Sequence, residues 1–256
     1  MVKKIIHIAI WVLTAAALIA LFVFAREDYL TSPVKAVNVD IEREGDRGFV
    51  NEEQLLADIE NLHKNANIGT VNMAAIQKCL ESNPWIETST SYIDLDGTLR
   101  INLKEYHPVL RVFDTKGRSI YLTDEGVGIP TDSLYTPHVL VANGNFTLRN
   151  DSTSYPFNDS VVEDQALLEV LHLYKAINNN AFMKSCIGQV YRDRKGSYNI
   201  VVKDIDAQVV IGDTCQIDDK LRRAEIFIKQ KAESPDLKDI KTINFKYKNQ
   251  VVCTKR

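Results

Sequence analysis

The sequence predicts an α+β fold: a single N-terminal transmembrane helix, a β-α-α-β-β unit, and a C-terminal mixed β domain with two helices. Three observations predict it. Residues 5–24 are apolar apart from His7 and Thr14. From Ala36 the apolar residues alternate, then recur twice at helical spacing, then alternate again, which reads as one strand, two helices and two strands. Beyond Val109, short strand-like runs broken by Gly, Asn and Asp predominate, with two longer helical patterns among them.

Composition narrows the function classes. The chain has 256 residues, 45% of them hydrophobic, enough for one or two domains with real cores. Its 31 basic and 34 acidic residues give a net charge of −3 with no long basic run, which argues against nucleic acid as a partner. The cysteines Cys79, Cys186, Cys215 and Cys253 lie far apart, without the spacing of a zinc site. An even number in an exported domain permits disulfides; buried thiols are the simpler reading.

The first element is a membrane anchor. At about 1.5 Å per residue, residues 5–24 span roughly 30 Å, the thickness of a bilayer's hydrocarbon core. The run exceeds the h-region of a signal peptide, and its small residues Ala15, Ala16 and Ala17 sit mid-segment rather than at its exit, so the expectation is a retained anchor. Lys3 and Lys4 before it bias the N-terminus towards the cytoplasm, making residues 1–4 a cytoplasmic tail and the bulk extracytoplasmic. Residues 25–34, ending near Pro33, read as a polar linker.

The next unit spans residues 35–107. Val37, Val39 and Ile41 alternate with polar residues as a strand. Asn51 is a candidate N-cap, with Gln54 at the capping-box position, for a helix over residues 51–63 with Leu55, Leu56, Ile59 and Leu62 on its apolar face. Asn72 starts a second helix, with Met73, Ile76 and Leu80 at its spacing. It ends near Asn83, because a residue before proline avoids the α region. Pro84 and Trp85 form the corner into a strand from Ile86 to about Leu95; Trp85 reads as a packing anchor. Asp96-Gly97 marks a hairpin turn, and Leu99, Ile101 and Leu103 alternate in the returning strand.

The last domain spans residues 108–256. Strands are expected at residues 109–113, 119–123 and 138–141, with Asn143-Gly144-Asn145 as the turn after the third. Residues 150–159 are rich in Ser, Asn, Asp, Thr and Pro and read as a loop. A helix follows over residues 163–178, with Leu167, Val170, Leu171, Tyr174 and Ile177 on one face. Strands at residues 188–191, 198–202 and 207–211 come next. A helix capped by Asp218 runs over about residues 219–232, with Leu221, Ala224 and Ile228 inward. The chain closes with a strand over residues 242–247, in which Ile243, Phe245 and Tyr247 share one face, and with Val251-Val252-Cys253.

Several of these stretches carry a resemblance. Asn83-Pro84-Trp85-Ile86, then Gly97-Thr98-Leu99-Arg100-Ile101, then Glu105-Tyr106-His107-Pro108-Val109 follow in order behind a lone anchor. The "K-L-R-R-A-E" helix and the ending Thr242-Ile243-Asn244-Phe245-Lys246-Tyr247 complete the set. The chain resembles the FtsQ/DivIB family of bacterial cell-division proteins, and the β-α-α-β-β unit resembles a POTRA domain. The resemblance implies a non-enzymatic scaffold of the divisome at the septum of the inner membrane, linking early and late division proteins. Its implied partners are FtsB-like and FtsL-like bitopic proteins held by the last strands, with further divisome components at the POTRA unit. In the segment Ile93-Asp94-Leu95-Asp96-Gly97 this chain departs from relatives that carry a basic residue and a proline there, so no contact through that basic residue carries over.

Chemistry finds little support. G-x-S-x-G, H-E-x-x-H and G-x-x-x-x-G-K-[ST] are absent. The histidines His7, His63, His107, His138 and His172 lack a neighbouring carboxylate pair or cysteine. Asp204, Asp206 and Asp213 read more simply as turn residues bonding their own backbone than as a cation site. The expectation is therefore no catalysis, no cofactor and no small-molecule substrate. A closing strand, by contrast, can accept an added strand from a partner. Asn244, Lys246, Tyr247, Lys248, Val251 and Val252 are the candidate partner-binding residues, and Pro84 and Trp85 the structural ones. The rival reading, a POTRA-bearing export or outer-membrane assembly factor, calls for a series of amphipathic barrel strands of about 9–11 residues, which the short, helix-interrupted C-terminal region does not offer.

Overall fold

A computed structural model describes residues 2–64, 66–149, 152–158, 160–231 and 239–256. Asn65, Asn150, Asp151, Asp159 and the expected end of the last helix at Ala232 lie outside them. The chain forms two compact units, residues 1–105 and 106–256.

The first unit opens with α1 (Val2–Thr31). From Ile6 onward it is long and apolar enough to cross a membrane; its most apolar 18-residue window has a mean hydropathy of 2.7 and none of that window is buried. Its length corrects one expectation: the helix runs on through most of the stretch expected as linker. The reason is local. Thr31 and Ser32 return their hydroxyls to the carbonyls of Glu27 and Asp28, at 2.9 and 2.8 Å, and so complete the final turn before Pro33.

Behind α1 come β1 (Ala36–Glu42), α2 (Glu52–His63), α3 (Met73–Glu81), β2 (Ile86–Ile93) and β3 (Thr98–Glu105). The sheet order is β1-β3-β2, with β1 parallel and β2 antiparallel to the central β3. This is the expected β-α-α-β-β unit. Asn51 accepts from Gln54 N and Asn72 from Ala75 N, so both helices start where the sequence places their caps. The side chain of Gln54 turns to Asp58 instead of closing the capping box. Ile59, Ile76 and Leu80 pack on Leu99 and Ile101, all fully buried. Leu62, expected on the apolar face of α2, is 40% exposed.

The corner at Asn83 is held by its own side chain, which accepts from Trp85 N at 3.0 Å. Trp85 is half-buried against this core and stacks on Phe49, with centroids 6.2 Å apart. Buried Glu105 accepts from the N–H groups of Phe49 and Val50, both at 3.1 Å, and faces Arg43 at 3.7 Å. The carboxylate thus satisfies two backbone donors that would otherwise be buried without a partner, just ahead of α2.

The second unit is built on one ten-stranded sheet, ordered β13-β12-β11-β10-β9-β7-β4-β5-β6-β8. Its first strands are β4 (Pro108–Phe113), β5 (Ser119–Thr123), β6 (Val127–Pro130), β7 (Leu140–Gly144) and β8 (Tyr155–Pro156). Then come α4 (Val162–Asn179), α5 (Ala181–Cys186), β9 (Ile187–Arg192), β10 (Tyr198–Val202) and β11 (Gln208–Gly212). The series closes with α6 (Ile217–Lys231), β12 (Ile240–Asn244) and β13 (Val252–Lys255). The three helices contact one another and cover the sheet: Leu167 and Val170 of α4 and Ala224 of α6, all fully buried, share one core with Leu110, Val190 and Val209. Tyr198 anchors this layer. Its hydroxyl donates to Ala166 O, at 3.1 Å, and meets Glu169; burial pushes its pKa upward.

Several readings of this unit are corrected. Asn143 and Gly144, expected in a turn, end β7 and pair in parallel with Tyr191 and Arg192. Tyr155 and Pro156, expected in a loop, form β8 against Val127 and Gly128. A third helix, α5, follows α4 directly, because Asn180 closes one and caps the next, accepting from Met183 N at 2.9 Å. Asp218 lies inside the first turn of α6 rather than before it. No disulfide joins the cysteines. Buried thiols do not describe them either: Cys79 and Cys186 are half-buried, and Cys215 and Cys253 exposed.

Candidate partner-binding edge

The closing strands sit at one end of the ten-stranded sheet. β11 and β12 run parallel, with Val209 opposite Ile243. β13 returns antiparallel on the far side of β12, with Val252 opposite Asn244 and Cys253 opposite Ile243. All four residues of β13 are exposed. No other described strand lies beyond it.

The expected strand over residues 242–247 begins and ends earlier. β12 closes at Asn244, whose side chain accepts from Lys246 N at 2.9 Å and turns the chain out of the ladder. Phe245 makes one more sheet bond, donating its N–H to Val210 O at 2.8 Å, and is fully buried edge-on to Phe227. Tyr247 does not share that buried face; it is 48% exposed. Asn244 therefore ends a strand. Lys246, Tyr247 and Lys248 occupy the connection to β13, Val251 packs partly into the core, and Val252, 41% exposed, opens β13.

One residue that sequence reasoning passed over holds this connection. Arg223, on the "K-L-R-R-A-E" helix α6, donates to Phe245 O at 3.2 Å, Tyr247 O at 2.8 Å and Gln250 O at 3.4 Å. Asp219, one turn earlier, bonds the same guanidinium at 2.9 Å and orients it. Only a planar fork with several donors can bridge three carbonyls this way. Arg223→Gln is expected to free residues 245–250 at a cost of about 1–2 kcal/mol. Faster amide exchange across that segment, with α6 still protected, checks it; unchanged exchange would mean that other contacts hold the connection.

Lys246 is likewise held. Its stem lies across Gly212, where an added Cβ would come within 2.9 Å of Lys246 Cγ. The Lys220 ammonium, bonded to Asp213, holds that carboxyl below the usual range against the opposing cost of burial, and the charge of Lys246 adds to the pull. The stabilisation from this depressed carboxyl is present above its unfolded pKa and fades as pH falls through the folded one. Arg256 N donates to Asp239 O at 2.9 Å and secures the far end of β13. Pro84 and Trp85 belong to the first unit, where they shape the α3–β2 corner.

Sequence reasoning missed Arg223, Thr254 and Lys255, and it carried Cys253 in the closing stretch without counting it among the candidate binding residues. The signal for the strand was its short β-branched run; for Arg223 there was only its place on a helix next to the closing strands.

Comparison with known families agrees with this architecture. A family model described as "FtsQ/DivIB, C-terminal related" matches residues 107–254, more than half of the chain. A second, described as a POTRA-like domain, matches residues 33–104. A search of curated proteins finds no match. Both folded units are matched, in order, behind one membrane-length helix, and the chain belongs to the FtsQ/DivIB family of cell-division proteins.

Proposed function

We propose that this single-pass membrane protein is a non-enzymatic scaffold of the divisome, with a cytoplasmic N-terminus and both folded units outside. It gathers small bitopic partners of the FtsB and FtsL type at the division septum. The observation that carries the reading is the outer strand β13, exposed along its whole length at the end of a ten-stranded sheet. An outer strand presents backbone donors and acceptors on its open side, and a partner strand can satisfy them with register set by the ladder. Lys246, Lys248 and Lys255 around it deter edge-to-edge self-association while leaving room for one chosen partner. Tyr247 and Val252 supply exposed apolar surface beside the edge. The POTRA unit is proposed to contact further divisome proteins.

Export or barrel assembly fits less well. The longest strands of the second unit, β4 and β9, have 6 residues, and helices cover its sheet. Spanning barrel strands need about 9–11 residues. Depletion of the protein is expected to give growing, unseptated filaments, with the protein at midcell before depletion. Normal septation on depletion would remove the division role.

A further inference from the structure

We propose that the β2–β3 turn of the first unit is a second membrane contact, with Leu95 seated in the lipid headgroup layer beside α1. Leu95 is 94% exposed, more than any other large apolar side chain among the described residues, including those of α1. Its place in the fold explains why that exposure would not persist in a bilayer.

The turn is fixed to the end of α1. Tyr29 donates its hydroxyl to Asp94 O at 2.8 Å, and Lys35 donates its N–H to Gly97 O at 3.0 Å. Between these two anchors, Gly69 donates to Leu30 O and Ile68 to Ser32 O, both at 2.9 Å, and Pro33 bridges to Asn67. Leu30 packs so closely on Gly69 that an added Cβ there would lie 3.1 Å from Leu30 Cβ. With the helix continuous through Thr31, no free tether separates the membrane segment from the folded unit.

Depth follows from helix geometry. The apolar run ends at Phe24, and Tyr29 lies only about 7.5 Å further along the axis. The headgroup layer beyond the hydrocarbon is roughly 5–8 Å thick on each side. Side chains on a helix lean towards its N-terminus, so the hydroxyl of Tyr29 reaches back towards the membrane, and Asp94 O meets it there. That places the turn at headgroup level, the depth where tyrosines collect at membrane interfaces. The charges of the turn are already engaged: Asp94 pairs with Arg100, and Asp94 and Asp96 both accept from Thr98 N. Leu95 is left as the apolar tip, and the lipid surface that takes α1 is its occupant.

The reading rests on α1 spanning the bilayer, and the test separates the two. A photoreactive diazirine amino acid is placed at Leu95, at Leu18 in mid-helix, or at Asp46. Asp46 is an exposed residue past the far end of β1, about 20 Å from the turn along that strand. The full-length protein is reconstituted in phosphatidylethanolamine/phosphatidylglycerol vesicles and irradiated. Lipid adducts are expected at Leu18 and at Leu95, several-fold above Asp46. Adducts at Leu18 with Leu95 no higher than Asp46, or with Leu95 coupled only to protein, would overturn the second contact alone. No adduct at Leu18 would overturn the spanning helix and this inference with it.

Discussion

Gly144→Ala is expected to lower the melting temperature of the second unit far more than Gly117→Ala does. Gly144 sits at φ +122°, a backbone conformation that L side chains rarely adopt. An added Cβ would lie 2.1 Å from the carbonyl oxygen of Arg192, its partner in the β7–β9 ladder. That carbonyl cannot step aside: it accepts from Asn145 N at 2.9 Å, while the Arg192 guanidinium bonds Asn145 O at 2.7 Å and lies over the rings of Phe146 and Tyr198. Strain and forced separation of the strands together cost about 3 kcal/mol or more, a large share of a domain's 5–15 kcal/mol. For a unit of this size that corresponds to a drop of roughly 6–12 °C. Gly117→Ala is the control. Gly117 also has a positive φ, +82°, but nothing lies within 4 Å of an added Cβ, so only the conformational cost of about 1 kcal/mol applies. Equal melting temperatures for the two variants would show that the Arg192 contact yields, and would remove this account of the β7–β9 junction.

Gly144 also shows where sequence reading stops. Asn-Gly is strong local grammar for a turn, and residues 143–145 carry it. In the structure Arg192, far along the chain, recruits Gly144 into a strand, because a glycine lets two backbones approach closely. Local grammar worked where local forces decide. Asn51, Asn72 and Asp96-Gly97 mark helix starts and a hairpin, and each does so in the structure, since caps and turns are closed by neighbours within a few residues. It failed for α5, whose 6 residues are too few to show a period, and for the end of α1, where polar residues hide a helix that tertiary contacts and back-bonded hydroxyls sustain. The order of the ten-stranded sheet was out of reach, since parallel neighbours such as β7 and β9 are joined through long excursions of the chain. For the proposed edge, a closing strand was legible in the sequence, but its boundary was not. Asn244 looked like one more alternating residue, and only the fold reveals that its side chain ends β12 and that Arg223 then takes over the carbonyls.

If β13 is the docking edge for the proposed FtsB-like and FtsL-like partners, Lys255→Pro is expected to weaken their capture by roughly 30- to 100-fold, about 2–3 kcal/mol. Arg256 turns its N–H inward to Asp239 O. In an antiparallel pair such groups alternate, so the N–H of the preceding residue, Lys255, faces the open side. Proline there removes an outward donor and sets its ring in the path of an incoming strand, while the bonds to β12 stay intact. Edge strands tolerate proline for this reason, and the extended conformation that proline imposes on Thr254 is already that of a strand. The variant should therefore melt within about 1 kcal/mol of the parent, so that lost binding cannot be blamed on lost structure. Lys255→Ala separates backbone from charge: it keeps the N–H and should retain most of the binding. Tyr247→Glu addresses the neighbouring connection, where the side chain is half exposed but the backbone carbonyl belongs to Arg223. Binding lost in Lys255→Pro and kept in Lys255→Ala assigns the contact to strand addition. Binding kept in Lys255→Pro but lost in Tyr247→Glu moves it to the β12–β13 connection, and full binding by both would place the partner away from this end of the sheet altogether.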